Sequence, residues 1–339
     1  MEDCFSRQKL FAPIGEKGQV KLSQKHVFIL GAGALGTANA EQLVRAGVGQ
    51  ITIADRDYVD WSNLQRQQLY AEEDARNAVP KAIAAKKRLN AIHSGATIHE
   101  VVGDMGVEEL HEIIPEVDLI IDATDNFETR MKVNDIAQFY KKTWIYGACV
   151  GSYGLSFTVV PEKTPCLHCL LGVLPSEGAT CDTAGIISPA VQMVVAHQVT
   201  EAMKVLVGDY EALRSKIVSF DLWKNEFSSV DVSSLKKGAC PSCGEIQQYP
   251  YLKEDSQTKT TVLCGRDTVQ IRPMETMKRD LEVLNRILLR TSGEVKKTPY
   301  VLMYQQGPYR LVFFQDGRVL VHGTKDVGKA KSLYNQCVG

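Results

Sequence analysis

The stretch HVFIL-GAGALG-TANAEQLVRAG, residues 26–47, followed by QITIAD, residues 50–55, reads as strand, glycine turn, helix and second strand. Gly31, Gly33 and Gly36 fit G-x-G-x-x-G. The first glycine permits the tight turn, the second lets backbone approach a phosphate, and the third lets helix pack on strand. The helix start then offers unpaired N–H groups and a partial positive charge to an anion. Asp55 ends the second strand, 22 residues after Gly33, where a carboxylate can bind a ribose hydroxyl. The glycine pattern alone is a weak signal; between two strands and with this Asp, it predicts a nucleotide site.

Downstream residues point away from hydride transfer. DRDYVDWSNLQRQQLY (55–70) adds Asp57 and Arg66, and Lys81 opens PKAIAAKKRL, with Pro80 suited to a first helical position. DLIIDATDNFETR (118–130) reads as a strand ending at Asp122, followed by Asp125 and Asn126. Carboxylates there lie at the carboxyl end of a parallel strand, where open α/β sheets bind ligands. A nicotinamide needs a flat apolar slot. Arg, Lys and Asp together suit phosphate chemistry, in which cations neutralise charge and an Asp holds Mg2+.

G-x-G-x-L-G, D-x-D-x-V-x-x-S-N-L-Q-R-Q, P-K and D-x-T-D-N, in this order, resemble the MoeB/ThiF family, bacterial relatives of the ubiquitin-activating enzymes. The resemblance spans about residues 5–250, and SNLQRQ with T-D-N is its most specific part. It implies an ATP site formed by Gly31, Gly33, Ala34 and Gly36, by Asp55, Asp57, Asn63 and Leu64, and by Arg66, Lys81, Asp125 and Asn126. Ala34 departs from the Gly of many members, a small change if φ stays negative. The implied reaction is adenylylation of the C-terminal Gly-Gly carboxylate of a ubiquitin-like sulfur carrier, MoaD-like or ThiS-like. Arg66, Lys81 and Asp125 would act on the phosphates and Mg2+, and Asp55 and Asp57 on the ribose and local network. Arg7, in FSRQ, matches an arginine that reaches across a homodimer to the partner's ATP.

Composition agrees. A chain of 339 residues has room for about two domains. Apolar residues at 44% and charged residues at 23% are ordinary for globular proteins. A net charge of −1 without basic blocks gives no footprint for nucleic acid or anionic lipid. The start MEDCFSRQKLF lacks the apolar core of a signal peptide, and the most apolar later stretch, SPAVQMVVAHQVTEAMKVLVG, is broken by polar residues. A cytoplasmic protein is expected.

Nine cysteines in such a chain favour metal or thiol chemistry over disulfides. Cys166-Leu-His-Cys169 and Cys240-Pro-Ser-Cys243 are two C-x-x-C hairpins, 70 residues apart. Four thiolates make a closed tetrahedral site, so a structural Zn2+ is expected, with His168 as a rival ligand. Two unrelated thiol pairs are the plainer alternative. Cys181 lies in the loop-like EGATCDTAGI (177–186), which by resemblance is a crossover loop whose cysteine can take part in sulfur transfer. An exposed loop cysteine without a role explains it equally well. Cys149, after a strand, reads as a small core residue.

The expected fold class is α/β. Residues 1–22 form an N-terminal arm and 23–150 a Rossmann-like ATP-binding half, with strands near 26–30, 50–54, 98–102, 118–122 and 143–147. Residues 151–250 form a carrier-binding half whose sheet continues into the zinc clamp. KIVSFDLWKNEFSSVDV (216–232) alternates like antiparallel strands. Polar residues 245–262 read as a linker. Residues 263–339 read as a small α+β module, with a helix in 278–293 and a hairpin turning at Asp316-Gly317. Its cysteines do not fit a rhodanese cradle, so the module reads as non-catalytic. Three other functions stand beside carrier activation: a nicotinamide dehydrogenase, a relative activating a small carboxylate or tRNA-linked substrate, and a non-enzymatic scaffold.

Overall fold

A computed structural model describes residues 4–171, 184–253, 260–263, 267–272 and 278–338. Cys181 and most of the expected crossover loop lie outside them. The chain divides into two units, one of residues 1–72 with 80–254, the other of residues 73–79 with 255–339.

The first unit is built on an eight-stranded sheet. Its parallel part comprises β1 (His26–Leu30), β2 (Gln50–Asp55), β3 (Thr97–Val102), β4 (Leu119–Asp122) and β5 (Trp144–Val150). Helices Ala34–Arg45, Lys81–Ile92 and Phe127–Phe139 lie on the crossovers. The antiparallel part adds β6 (Tyr153–Val159), β7 (Lys216–Asp221) and β8 (Glu226–Asp231). Strand order is β3-β2-β1-β4-β5-β6-β7-β8. HVFIL and LIID read as continuous apolar runs because parallel strands are covered on both faces. The order in which strands are added reverses between β1 and β4, and a crevice at that switch point is where such sheets bind ligands.

Gly151, at φ +60°, turns the chain between β5 and β6 and ends the parallel pattern. The helix Ser188–Val207 covers β5 and β6 and touches the helix Ala34–Arg45, burying Val191, Val194, Val195 and Ala202. It stops at Gly208, whose left-handed φ of +87° suits the C′ position. None of the helices in the described residues is long and apolar enough to cross a membrane.

The second unit carries an antiparallel sheet of β9 (Thr260–Leu263), β10 (Thr268–Ile271), β11 (Glu294–Lys297), β12 (Val301–Gln306), β13 (Tyr309–Phe314) and β14 (Val319–His322). Strand order is β11-β12-β13-β14-β10-β9. Helices Leu281–Leu288 and Val327–Val338 supply Leu284, Leu288 and Leu333 to its core beside Leu302, Leu311 and Phe313. Asp280 caps the first helix by accepting from the Glu282 and Val283 amides. Gly317, at φ +87°, makes the turn between β13 and β14.

Two boundaries differ from the sequence reading. The expected linker 245–262 ends inside β9, because Thr260–Thr261–Val262 pair with β10. Polar composition hid an edge strand whose register is set by a distant partner. Residues 73–79 group with the tail, a placement that no local pattern signals.

Candidate active site

The glycine turn is shaped by contacts that exclude side chains. Gly31 sits at φ +99°, and a Cβ there would lie 2.6 Å from the Ala123 carbonyl oxygen. A Cβ on Gly36 would lie 1.8 Å from the Gly31 carbonyl oxygen, so helix and loop touch backbone to backbone. Gly33 differs: among the described residues beyond its own chain neighbours, nothing but the Gln67 side-chain nitrogen, 3.9 Å away, comes within 4 Å of its missing Cβ. The protein leaves that space open. Gly33 is also the N-cap of the helix, and Ala34 opens it with ordinary helical backbone. The departure at Ala34 therefore costs no strain.

Asp55 is the post of the loop. One carboxylate oxygen accepts from the Ala32 amide at 2.6 Å, the other from the Asp57 amide at 2.7 Å. Burial pushes its pKa up, and Lys81 opposes the rise. Both oxygens are thus used internally, though each retains a lone pair for a ribose hydroxyl. Lys81, only 3% exposed, lies 3.4 Å from Asp57 Oδ2. Its helix starts one residue later than the sequence suggests. Pro80 is the N-cap, because its carbonyl accepts from Ala84 and the Lys81 amide is drawn to the Asp57 carbonyl.

The SNLQRQ segment is a polar platform under the loop. Asp60 and Asn63 form a reciprocal capping box around a 3₁₀ turn, Trp61–Asn63, so Asn63 serves the backbone. Leu64 caps the end of that turn. Arg66 donates to the Ser62 carbonyl at 2.8 Å, which leaves guanidinium donors for an anion. Tyr70, buried and absent from the sequence reading, places its hydroxyl 2.6 Å from the Ala32 carbonyl and 3.2 Å from that of Lys81. It ties the glycine turn to the lysine.

Beyond β4, Asp122 is fully buried and accepts from the Thr124 amide and hydroxyl and from Arg130 Nε at 3.1 Å. Arg130 also donates to the Thr124 carbonyl at 2.5 Å and lies over the Tyr146 ring. Burial raises the Asp122 pKa, with Arg130 holding it down. This clamp fixes the loop that carries the exposed Asp125. Asn126 accepts from Thr129 and caps the next helix. Arg56, another residue absent from the sequence reading, bonds Asp104 at 3.0 Å. Against its burial, Asp104, Asp57 and Asp125 raise its pKa, so cation and carboxylates share one neighbourhood.

Arg7 lies outside this group. It is exposed on the short helix Ser6–Lys9, whose neighbour Gln8 anchors the arm on Gln19 and the Ala46 carbonyl.

The four cysteines do meet. The Sγ atoms of Cys166, Cys169, Cys240 and Cys243 all lie within 4.8 Å of one another. Cys166–Cys240 is 3.7 Å and Cys169–Cys243 is 3.5 Å, near the roughly 3.8 Å edge of a tetrahedron with ~2.3 Å Zn–S bonds. His168 turns its Nδ1 to Ser242, and the four-ligand group that the described residues form consists of cysteines. Cys149 lies within β5 and is half-buried, so the reading of a core residue after the strand is corrected. The strand runs on because β6 pairs back to Val150.

The model of the ThiF family matches residues 5–242. The chain belongs to the ThiF family. The Bacillus subtilis (strain 168) sulfur carrier protein ThiS adenylyltransferase is 55% identical over 339 residues, all of both chains. The Escherichia coli (strain K12) molybdopterin-synthase adenylyltransferase is 31% identical over 242 residues, 71% of this chain and 96% of that protein. Among solved folds, the crystal structure of E. coli MccB with ATP superposes with a TM-score of 0.63 at 22% identity, covering 72% of this chain and 74% of that one. This ThiF-family chain thus shares the fold expected from its glycine loop and T-D-N segment, and its curated relatives are adenylyltransferases.

Proposed function

We propose that this chain is a cytoplasmic enzyme that adenylylates the C-terminal glycine of a ThiS-like sulfur carrier, for thiamine biosynthesis. The observation that carries the reading is the full-length match to the Bacillus ThiS adenylyltransferase, which includes the C-terminal module. The carrier's terminal carboxylate is already ionised at neutral pH, so no general base is required. It attacks the α-phosphorus of ATP; a new P–O bond forms, the bond to the bridging oxygen breaks, and pyrophosphate leaves.

The main obstacle is bringing two anions together, so catalysis is positioning plus charge neutralisation. The open space before Gly33 and the helix start receive a phosphate, and Asp55 and Asp57 face the ribose. Arg66 and Lys81 neutralise the phosphates, joined by Arg7 of the partner subunit in a homodimer; an exposed Arg7 on a docked arm supports that role. Asp125 would hold Mg2+ together with phosphate oxygens, the usual protein share for this ion. Bound there, the ion neutralises phosphate charge. The four cysteines would hold a structural Zn2+ that links residues 166–169 to 240–243.

ATP–pyrophosphate exchange with each purified carrier tests the proposal. Exchange driven by a ThiS-like carrier and not by a MoaD-like one is expected. The reverse preference would assign the chain to molybdopterin synthesis, and no exchange with either would refute carrier activation.

A further inference from the structure

The geometry points to Gln67 as a further catalytic residue, donating its side-chain N–H to a phosphate oxygen of bound ATP. The inference deepens the adenylylation reading and rests on it. Gln67 is 2% exposed, its Oε1 is buried without a hydrogen-bond partner among the described residues, and its Nε2 borders the glycine turn. Buried amides are rarely left unpaired, because the lost hydration has to be compensated. Here the backbone explains the placement. The Gln67 amide donates to the Asn63 carbonyl, and the Gln67 carbonyl accepts from Tyr70. Tyr70 is itself fastened to Ala32 of the glycine turn. The side chain is therefore carried by a segment locked to the turn.

Among the described residues, and apart from the chain next to Gly33 itself, its nitrogen is the atom that comes within 4 Å of the missing Gly33 Cβ, at 3.9 Å. That is the space which glycine keeps clear for a phosphate. An amide edge bordering an anion site must present its N–H₂, since the carbonyl edge would repel phosphate oxygens. The helix start at Ala34 supplies backbone N–H donors, and Gln67 adds a neutral side-chain donor from the platform beneath. Arg66 and Lys81 carry charge to the same neighbourhood. Gln67 adds direction, holding the α-phosphate at a fixed angle while its charge is redistributed.

The test is Gln67→Met, which keeps length and packing but removes the amide, beside Gln67→Glu, which puts an anion at the cradle. Three measurements are made on the full chain: unfolding temperature without ligand, the rise in that temperature with MgATP, and kcat/KM for ATP in pyrophosphate exchange. For Gln67→Met the ligand-free temperature should stay level or rise, since an unpaired buried polar atom is removed. Its MgATP-induced rise should shrink, and kcat/KM should fall about 10²-fold, as when one oxyanion-hole donor is lost. Gln67→Glu should lose more. Unchanged kcat/KM and MgATP response in Gln67→Met would overturn the inference. So would a fall in activity that comes with a fall in ligand-free stability, which marks a structural residue. If wild type responds to MgATP but no carrier supports exchange, the carrier reading fails, and the MgATP response alone decides Gln67.

Discussion

Replacing Arg130 with Met tests whether the loop bearing Asp125 is held by a buried ion pair. Met keeps the stem packed on Tyr146, while Asp122, fully buried, loses the Arg130 cation. Breaking a buried pair from one side costs about 3–5 kcal/mol. For a unit of this size, roughly 2–4 °C accompanies each kcal/mol, so the unfolding temperature should drop by roughly 6–20 °C near neutral pH. The pH dependence has a definite sign. Burial already raises the Asp122 pKa, and Arg130 opposes it. A carboxyl with a raised pKa binds its proton more tightly when folded, so the stability tied to it is present at low pH and lost as pH rises. Without Arg130 the pKa rises further. The deficit against wild type should therefore be largest at neutral and alkaline pH and shrink as pH falls into the carboxylate range. Urea unfolding at several pH values reads this directly. A loss under about 1 kcal/mol at neutral pH, or one that does not narrow with acid, refutes the clamp.

Other expectations follow from the same geometry. Gly33→Ala should leave ligand-free unfolding nearly unchanged yet abolish stabilisation by MgATP, whereas Gly36→Ala, with a Cβ 1.8 Å from a carbonyl oxygen, should fail to give folded protein. In thermal titration wild type should respond to MgATP and not to NAD+; a response to NAD+ alone would return the chain to the dehydrogenase reading. Elemental analysis should give one zinc per chain, and near-zero zinc in protein that still activates its carrier would sink the Cys4 assignment. Arg7→Ala and Lys81→Ala should each be inactive, while mixed dimers recover up to about a quarter of wild-type activity if sites act independently. Verified heterodimers without activity would place Arg7 in its own subunit's site or show that the two sites are coupled.

Much of this architecture is legible in local chemistry. The glycine spacing, the apolar runs HVFIL and LIID, and the paired C-x-x-C hairpins each need particular residues at fixed short intervals. They fix a turn, two buried strands and a four-thiol set without help from elsewhere. The sequence also marks Asp55, Arg66, Lys81 and Asp125, because charge clustered near strand ends is costly unless a ligand uses it. Tertiary structure alone decides the rest. Tyr70, Arg56 and Arg130 carry no spacing signature, and Gln67 closes the S-N-L-Q-R-Q motif without its contact being readable there; their partners are Ala32, Asp104, Asp122 and the space before Gly33, met only when distant segments converge. Likewise β9 is a strand through its pairing with β10, and Asn63 holds a capping box that its motif did not announce. A side chain's role follows from what it faces, and facing is settled by packing between segments that the linear order keeps apart.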